Sequence, residues 1–185
     1  MVIVGIDEVG RGCWAGPLLA GAVVLSQPIE GLKDSKQLSK KKREELSSTI
    51  LNCAAGFGIG WVKPSEIDEV GLTEAVHLAM RRALDQIVID YDKVIIDGNF
   101  NFLPDEPRVQ TIIKADNSVP AVSAASIIAK VARDNYMTEI AAKYNNYGFE
   151  SHVGYGTAHH LQQLKLHGIC DLHRRSFKPI KALLQ

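Results

Sequence analysis

The run Ile3-Val4-Gly5-Ile6-Asp7-Glu8-Val9-Gly10-Arg11-Gly12 restricts this chain more than any other stretch. The β-branched residues over 2–6 predict a strand buried on both faces. It stops at two adjacent carboxylates, followed by Gly-Arg-Gly. Neighbouring side chains on a strand point to opposite faces, so Asp7 and Glu8 are expected to share a site only where the strand ends and the backbone turns. Gly10 and Gly12 let main-chain N–H groups come close to a ligand, and Arg11 adds a planar cation beside the acids. This combination suits a metal-and-phosphate site. It equally suits an acidic turn after an edge strand, with Arg11 neutralising a carboxylate, and the stretch alone does not separate the two.

Bulk properties narrow the partners. The 185 residues suffice for one domain with a real core. The formal net charge is zero, so no global field draws the chain to nucleic acid or membrane, and polyanion binding must come from local patches. Cys13, Cys53 and Cys170 form no CxxC pair, which argues for a reducing compartment and against a disulfide scaffold or zinc site. No secretory leader pattern or bilayer-length apolar run is present. A cytoplasmic, membrane-free monomer is the expectation.

Further strands are predicted over residues 18–25, 54–62, 93–97 and 109–114. The second follows the first without a helix between them, so an antiparallel pair is expected. The same feature, with Pro17, disfavours a dinucleotide-binding reading of the glycines from Gly10 to Gly16. Gly56, Gly58 and Gly60 share one face of the third strand, which is either bare or closely packed. Ser39 is expected to cap a helix over 40–51 whose first turn is Lys40-Lys41-Lys42-Arg43. With Lys33 and Lys36, this run is read as meeting a phosphate backbone; a solvated face is the commoner fate of such a run. A helical turn is placed over 64–70, and Thr73 is expected to cap a helix with a core stripe of Val76, Met80, Leu84 and Ile87, leaving His77 at the surface. The longest helix is placed over 119–144, with Ser123 and Ser126 structural and Lys130 paired to Asp134. Residues 145–156 are read as a loop, followed by a helix to His167 and a basic tail. Five of the six histidines fall between His152 and His173 without zinc-ligand spacing, and they are read as surface or polar-contact residues.

Strand ends thus present Asp7 with Glu8, then Asp97, then Asp116. Acids gathered there cannot all stay ionised unaided, since two charges at 4 Å repel by about 4 kcal/mol at an effective dielectric of 20. Oxygen-only ligands favour Mg²⁺ or Mn²⁺. Two such ions would clamp a phosphodiester.

The ordered motifs Asp7-Glu8-Val9-Gly10-Arg11-Gly12, Asp34-Ser35-Lys36, Ile96-Asp97-Gly98, Lys114-Ala115-Asp116, the run from Ser123 to Lys130, Gly154-Tyr155-Gly156-Thr157 and His173-Arg174-Arg175-Ser176-Phe177 resemble bacterial type II ribonuclease H. The resemblance covers residues 3 to 178. It implies an α/β, ribonuclease H-like fold: a mixed five-stranded sheet flanked by helices, first strand central, with a core to about residue 144 and a C-terminal helical appendage over 145–185. It implies a divalent-metal-dependent endonuclease acting on RNA–DNA hybrids and on duplex DNA with embedded ribonucleotides. Cleavage would fall 5′ of a ribonucleotide, leaving 3′-hydroxyl and 5′-phosphate ends. By this likeness Asp7, Glu8, Asp97 and Asp116 are the metal-binding catalytic carboxylates. Gly10, Arg11 and Gly12 read the ribose 2′-hydroxyl and adjoining phosphate, Ser35 and Lys36 join the substrate contacts, and Tyr155 packs on the sugar at the RNA-to-DNA junction. One departure is Val153, where the family commonly has lysine before Gly-Tyr; a phosphate contact or help to the leaving group is either missing or supplied by His152 or another cation. No sliding-clamp motif is read in the last eight residues. A non-catalytic hybrid-binding module is the alternative from another class.

Overall fold

The apolar, β-branched stretches form one mixed sheet in the computed structural model, which describes residues 1–184. Its strands are β1 (Ile3–Val9), β2 (Leu18–Leu25), β3 (Ala54–Val62), β4 (Lys93–Asp97) and β5 (Val109–Ile112), in the order β3-β2-β1-β4-β5. β2 pairs antiparallel with both β1 and β3, whereas β1, β4 and β5 run parallel. β1 is therefore central, which removes the edge-strand reading of Asp7 and Glu8. Nor does the strand stop at the acids. Asp7 faces Gly21 and Glu8 faces Ala20 in an unbroken ladder, because β2 is long enough to keep pairing to Leu19 opposite Val9.

Seven helices surround the sheet among the described residues: α1 (Lys40–Cys53), α2 (Pro64–Val70), α3 (Leu72–Leu84), α4 (Pro120–Ala141), α5 (Phe149–His152), α6 (Ala158–His167) and α7 (Lys178–Lys181). The glycines of β3 are closely packed rather than bare. A Cβ at Gly60 would stand 1.9 Å from Ala79 O, and one at Gly58 2.2 Å from Ala83 O, so α3 lies directly on the sheet. On the opposite face Gly5 and Gly21 let α4 approach as closely, with would-be contacts of 2.2 Å to Ala121 C and 2.4 Å to Ala125 O. The small-residue composition of α4 makes that approach possible.

Several boundaries differ from the sequence reading. Thr73 is not a cap; α3 begins at Leu72 with Gly71 as its N-cap, since Gly71 takes a φ of 81° that ends α2 and starts the next helix at once. β5 ends at Ile112, and Lys114 enters a left-handed conformation that turns the chain into the 3₁₀ segment Ala115–Asn117. The stretch 145–156 is not wholly a loop, for it contains α5. The C-terminal part returns to the start of the chain. Ala15 bridges to His173, Gly16 N–H donates to Leu172 O (2.8 Å), and Arg174 N–H donates to Trp14 O (2.8 Å). Asp68 of α2 fixes the far side by accepting from the main-chain N–H groups of Arg175 and Ser176, each at 2.9 Å.

Candidate active site

Alternation along β1 decides where the two adjacent acids go. Val4 and Ile6 face the core under α3, so Glu8 lies on that side, and Gly5 and Asp7 face α4. Ile6 pairs with Ile96 across the parallel β1–β4 ladder, which puts Asp7 and Asp97 next in register at the carboxyl ends of neighbouring strands. Asp97 is anchored there, its Oδ1 accepting from Ala115 N–H at 2.7 Å. Asp116 follows one residue later and is buried, with Ser123 Oγ donating to its main-chain carbonyl at 2.6 Å. Both serines are structural as expected: Ser126 bonds Ser35 at 3.0 Å and supports Asp7.

The acids feel one another. Burial pushes Asp7 up to about 7, with Glu8 and Asp97 adding repulsion against the lowering effect of Ser126. Burial also raises Glu8, opposed by Arg11, whose Nη1 stands 3.6 Å from Glu8 Oε1. Asp116 is raised by burial, then by Asp97 and Asp34. Asp97 is thus the acid common to all three. An all-oxygen donor set with this unrelieved repulsion fits a hard divalent cation. Among the described residues, no three His, Cys, Asp or Glu side chains form a ready cage. Asp7 and Glu8 leave opposite faces of one strand, so water and substrate oxygens would have to complete any coordination shell.

Two cavities open from the acid row, and Glu8 and Asp97 line both. One, of about 260 Å³, adds Asp7, Ser35, Lys36, Lys130 and Tyr155. The other, of about 360 Å³, adds Arg11, Thr73, Asn99, Phe100 and Phe102. Asp7, Glu8, Asp97, Arg11, Ser35, Lys36 and Tyr155 therefore line the two adjoining cavities, and Asp116, which lines neither, joins them through its repulsion with Asp97. Ser35 is buried with its hydroxyl on Ser126, so it presents a wall rather than a free donor. Gly12 is open, with no atom within 4 Å of a would-be Cβ, and Gly10 holds a φ of 85°. Lys40 to Arg43 are partly spent: Arg43 donates to Ser35 O at 3.0 Å, and Lys40 and Lys42 meet Glu44 and Glu45.

Two buried arginines escaped the sequence reading. Arg133 donates to Pro17 O (2.8 Å), Val153 O (2.9 Å) and Ala15 O (3.1 Å). Arg174 donates to Gly16 O (2.9 Å) and Arg11 O (3.1 Å). Together they hold the Gly10–Pro17 loop against the Val153–Tyr155 segment using carbonyls alone. No local sequence signal marks this, since all but the Arg133–Val153 bond join groups more than a hundred residues apart.

Both readings of the five clustered histidines apply: His159 and His167 lie at the surface, while His152, His160 and His173 are buried in polar contacts. Their partners assign each proton: Gly154 N–H donates to His152 Nδ1 and Cys170 N–H donates to His173 Nδ1, so the protons of those rings sit on Nε2. His173 Nε2–H then donates to His160 Nε2 at 3.0 Å, and His160 Nδ1–H donates to Tyr155 O at 2.9 Å. All three are neutral, and His152 does not supply a cation at Val153; Lys130 and Arg133 are the cations beside Tyr155, the Lys130 Nζ 5.8 Å from the ring and paired with Asp134 at 2.9 Å.

Burial lowers His160 and His173 to about 4 each. Unfolded imidazoles bind protons first as pH falls, so this contribution is complete above about pH 6.5 and is progressively lost towards pH 4. Asp7 has the opposite sign over part of the same range. Urea midpoints at about pH 7 and about pH 5 should therefore differ less in His173→Gln than in the parent chain. Equal differences would show that the imidazoles are not buried neutral.

The sheet order and the acids at its central strand ends define a ribonuclease H-like fold. Ribonuclease H2 from Pyrococcus horikoshii OT3 superposes with a TM-score of 0.84 at 31% identity, covering 99% of this chain and 97% of that one. The ribonuclease HII family model matches residues 4–180. Ribonuclease HII of Coxiella burnetii (strain Dugway 5J108-111) is 47% identical over 186 residues, covering 99% of this chain and 91% of its own. The Polynucleobacter necessarius protein of the same name is 45% identical over 190 residues, with coverages of 99% and 95%. The chain belongs to the ribonuclease HII family, a family of ribonuclease hydrolases, and is an enzyme.

Proposed function

We propose that this ribonuclease cleaves the RNA strand of RNA–DNA hybrids and incises 5′ of single ribonucleotides embedded in duplex DNA, leaving 3′-hydroxyl and 5′-phosphate ends. The observation that carries this reading is the acid row: Asp7 and Asp97 in register on parallel strands, with Glu8 and Asp116 beside them. In it, Asp7, Glu8, Asp97 and Asp116 hold two divalent cations, Mg²⁺ or Mn²⁺. Such cations supply an activated water and stabilise the leaving oxygen.

The chain's own residues do the rest. Asp97, pinned through Oδ1, keeps its carboxylate aimed between the two cavities. Gly12 leaves its backbone bare, so a main-chain N–H can reach a ribose 2′-hydroxyl, the group that separates RNA from DNA. Gly10 turns the chain towards it, Arg11 meets the adjoining phosphate, and Lys36 and Lys130 balance charge in the cavity that Tyr155 lines. Tyr155, 40% exposed, offers a flat face to the sugar at the junction.

A cleavage assay on a long hybrid and on a duplex with one ribonucleotide tests the reading. Both should be cut only with added Mg²⁺ or Mn²⁺, the second at the 5′ side of the ribonucleotide. Binding without cleavage would favour the non-catalytic module instead. Tyr155→Ala should lower the preference for the single-ribonucleotide duplex about tenfold while the melting temperature stays close to the parent's. An unaltered preference would remove Tyr155 from junction recognition.

A further inference from the structure

We propose that the cavity bearing Phe100 seats the nucleotide across the scissile phosphate from Tyr155, with its sugar and groove edge resting on the Phe100 ring. This rests on the hydrolytic reading above and extends it to a subsite.

Glu8 and Asp97 line both cavities, so a strand lying over the acids enters one on each side. Each side offers one exposed aromatic: Tyr155 in the first, Phe100, 55% exposed, in the second. Phe100 is not a loose loop tip. Its ring centroid lies 4.7 Å from that of Phe102, which is buried in the core cluster that includes Ile67 and Leu103. The loop is tied by Leu103 N–H donating to Asn101 Oδ1 at 2.8 Å. Farther along it, Glu106 takes Arg108 Nε at 2.7 Å and the Tyr91 hydroxyl at 3.0 Å. A phenyl ring is thus held in water at the rim of an acidic cleft.

The surroundings state what it takes. Arg11, whose guanidinium carbon lies 5.5 Å from the Phe102 ring centre, is the cation lining this cavity and takes the phosphate, while Glu8 and Asp97 stand at the scissile group. The piece between phosphates is then the one left for Phe100. In a duplex the base faces are covered by their neighbours, so sugar C–H groups and the groove edge remain for contact. Phenylalanine has no donor or acceptor for a 2′-hydroxyl. This seat therefore binds ribose and deoxyribose alike, and discrimination stays with Gly10 to Gly12 and Tyr155.

Phe100→Ala should raise KM about tenfold on both the long hybrid and the single-ribonucleotide duplex, with kcat and the ratio between substrates unchanged, as expected for binding shared by ground and transition states. Phe100→Trp should restore KM. Substrates shortened from one side or the other of the cleavage point complete the test. Removing nucleotides on one side should abolish the difference between the parent and Phe100→Ala, while removing them on the other side should preserve it. An unchanged KM in Phe100→Ala, or a difference that survives both truncations, overturns the subsite. If the parent chain itself cleaves neither substrate, the hydrolytic reading fails instead, which the parent arm records separately.

Discussion

Asp97→Asn is expected to reduce hydrolysis by about a thousandfold or more on either substrate, at a melting temperature close to the parent's. Asp97 is the acid whose charge reaches Asp7, Glu8 and Asp116, and it lines both cavities. An asparagine is nearly isosteric and keeps an oxygen for Ala115 N–H, so the bond that joins β4 to the Ala115–Asn117 turn survives. What is lost is the negative charge. Steady-state cleavage with saturating Mg²⁺ or Mn²⁺ measures the effect, and thermal melting checks the fold. Turnover within tenfold of the parent would take Asp97 out of the catalytic set.

Arg133→Met should cost about 3 kcal/mol of stability. Methionine retains much of the aliphatic stem, but the carbonyls of Pro17 and Ala15 each lose a donor in a buried setting, and that of Val153 in a part-buried one. Stranded buried acceptors cost roughly 1–3 kcal/mol each, and removing a buried charge returns part of the total. The same change loosens the contact between the Gly10–Pro17 loop and Tyr155, whose ring lies 6.0 Å from the Arg133 guanidinium carbon. Activity at low temperature should therefore fall along with the urea midpoint. A loss below about 0.5 kcal/mol would show that the guanidinium does not brace the loop.

Much of the sheet was legible because its strands are short, β-branched and bounded by glycine or proline. The antiparallel start followed from the lack of a helix between residues 9 and 18, whereas the shared glycine face of the third strand left a bare or a closely packed surface open, which only α3 lying on it decides. Lys130–Asp134 and the serines of α4 followed from helical spacing and from side-chain preference for nearby carbonyls. The turn chemistry around Gly71, Lys114 and Val153 was not legible. Lys114 and Val153 take positive φ against their intrinsic preference, at 59° and 43°, and only the surrounding packing holds them there. Which histidines would be buried was not legible for a related reason. A polar ring is cheap to bury only if every nitrogen is paired, and those partners lie on three separate segments.

By itself the sequence determined the five strands, the order of the motifs and the acids that each strand end would carry, because local periodicity and backbone chemistry act over a few residues. The tertiary structure alone decided that β1 runs on through both acids. It also decided that Asp7 and Glu8 leave opposite faces, and that two buried arginines and a neutral imidazole chain clasp the tail to the glycine loop. Those outcomes depend on burial and on pairing between groups up to 163 residues apart. Their free energy exists only once desolvation and partner are supplied together.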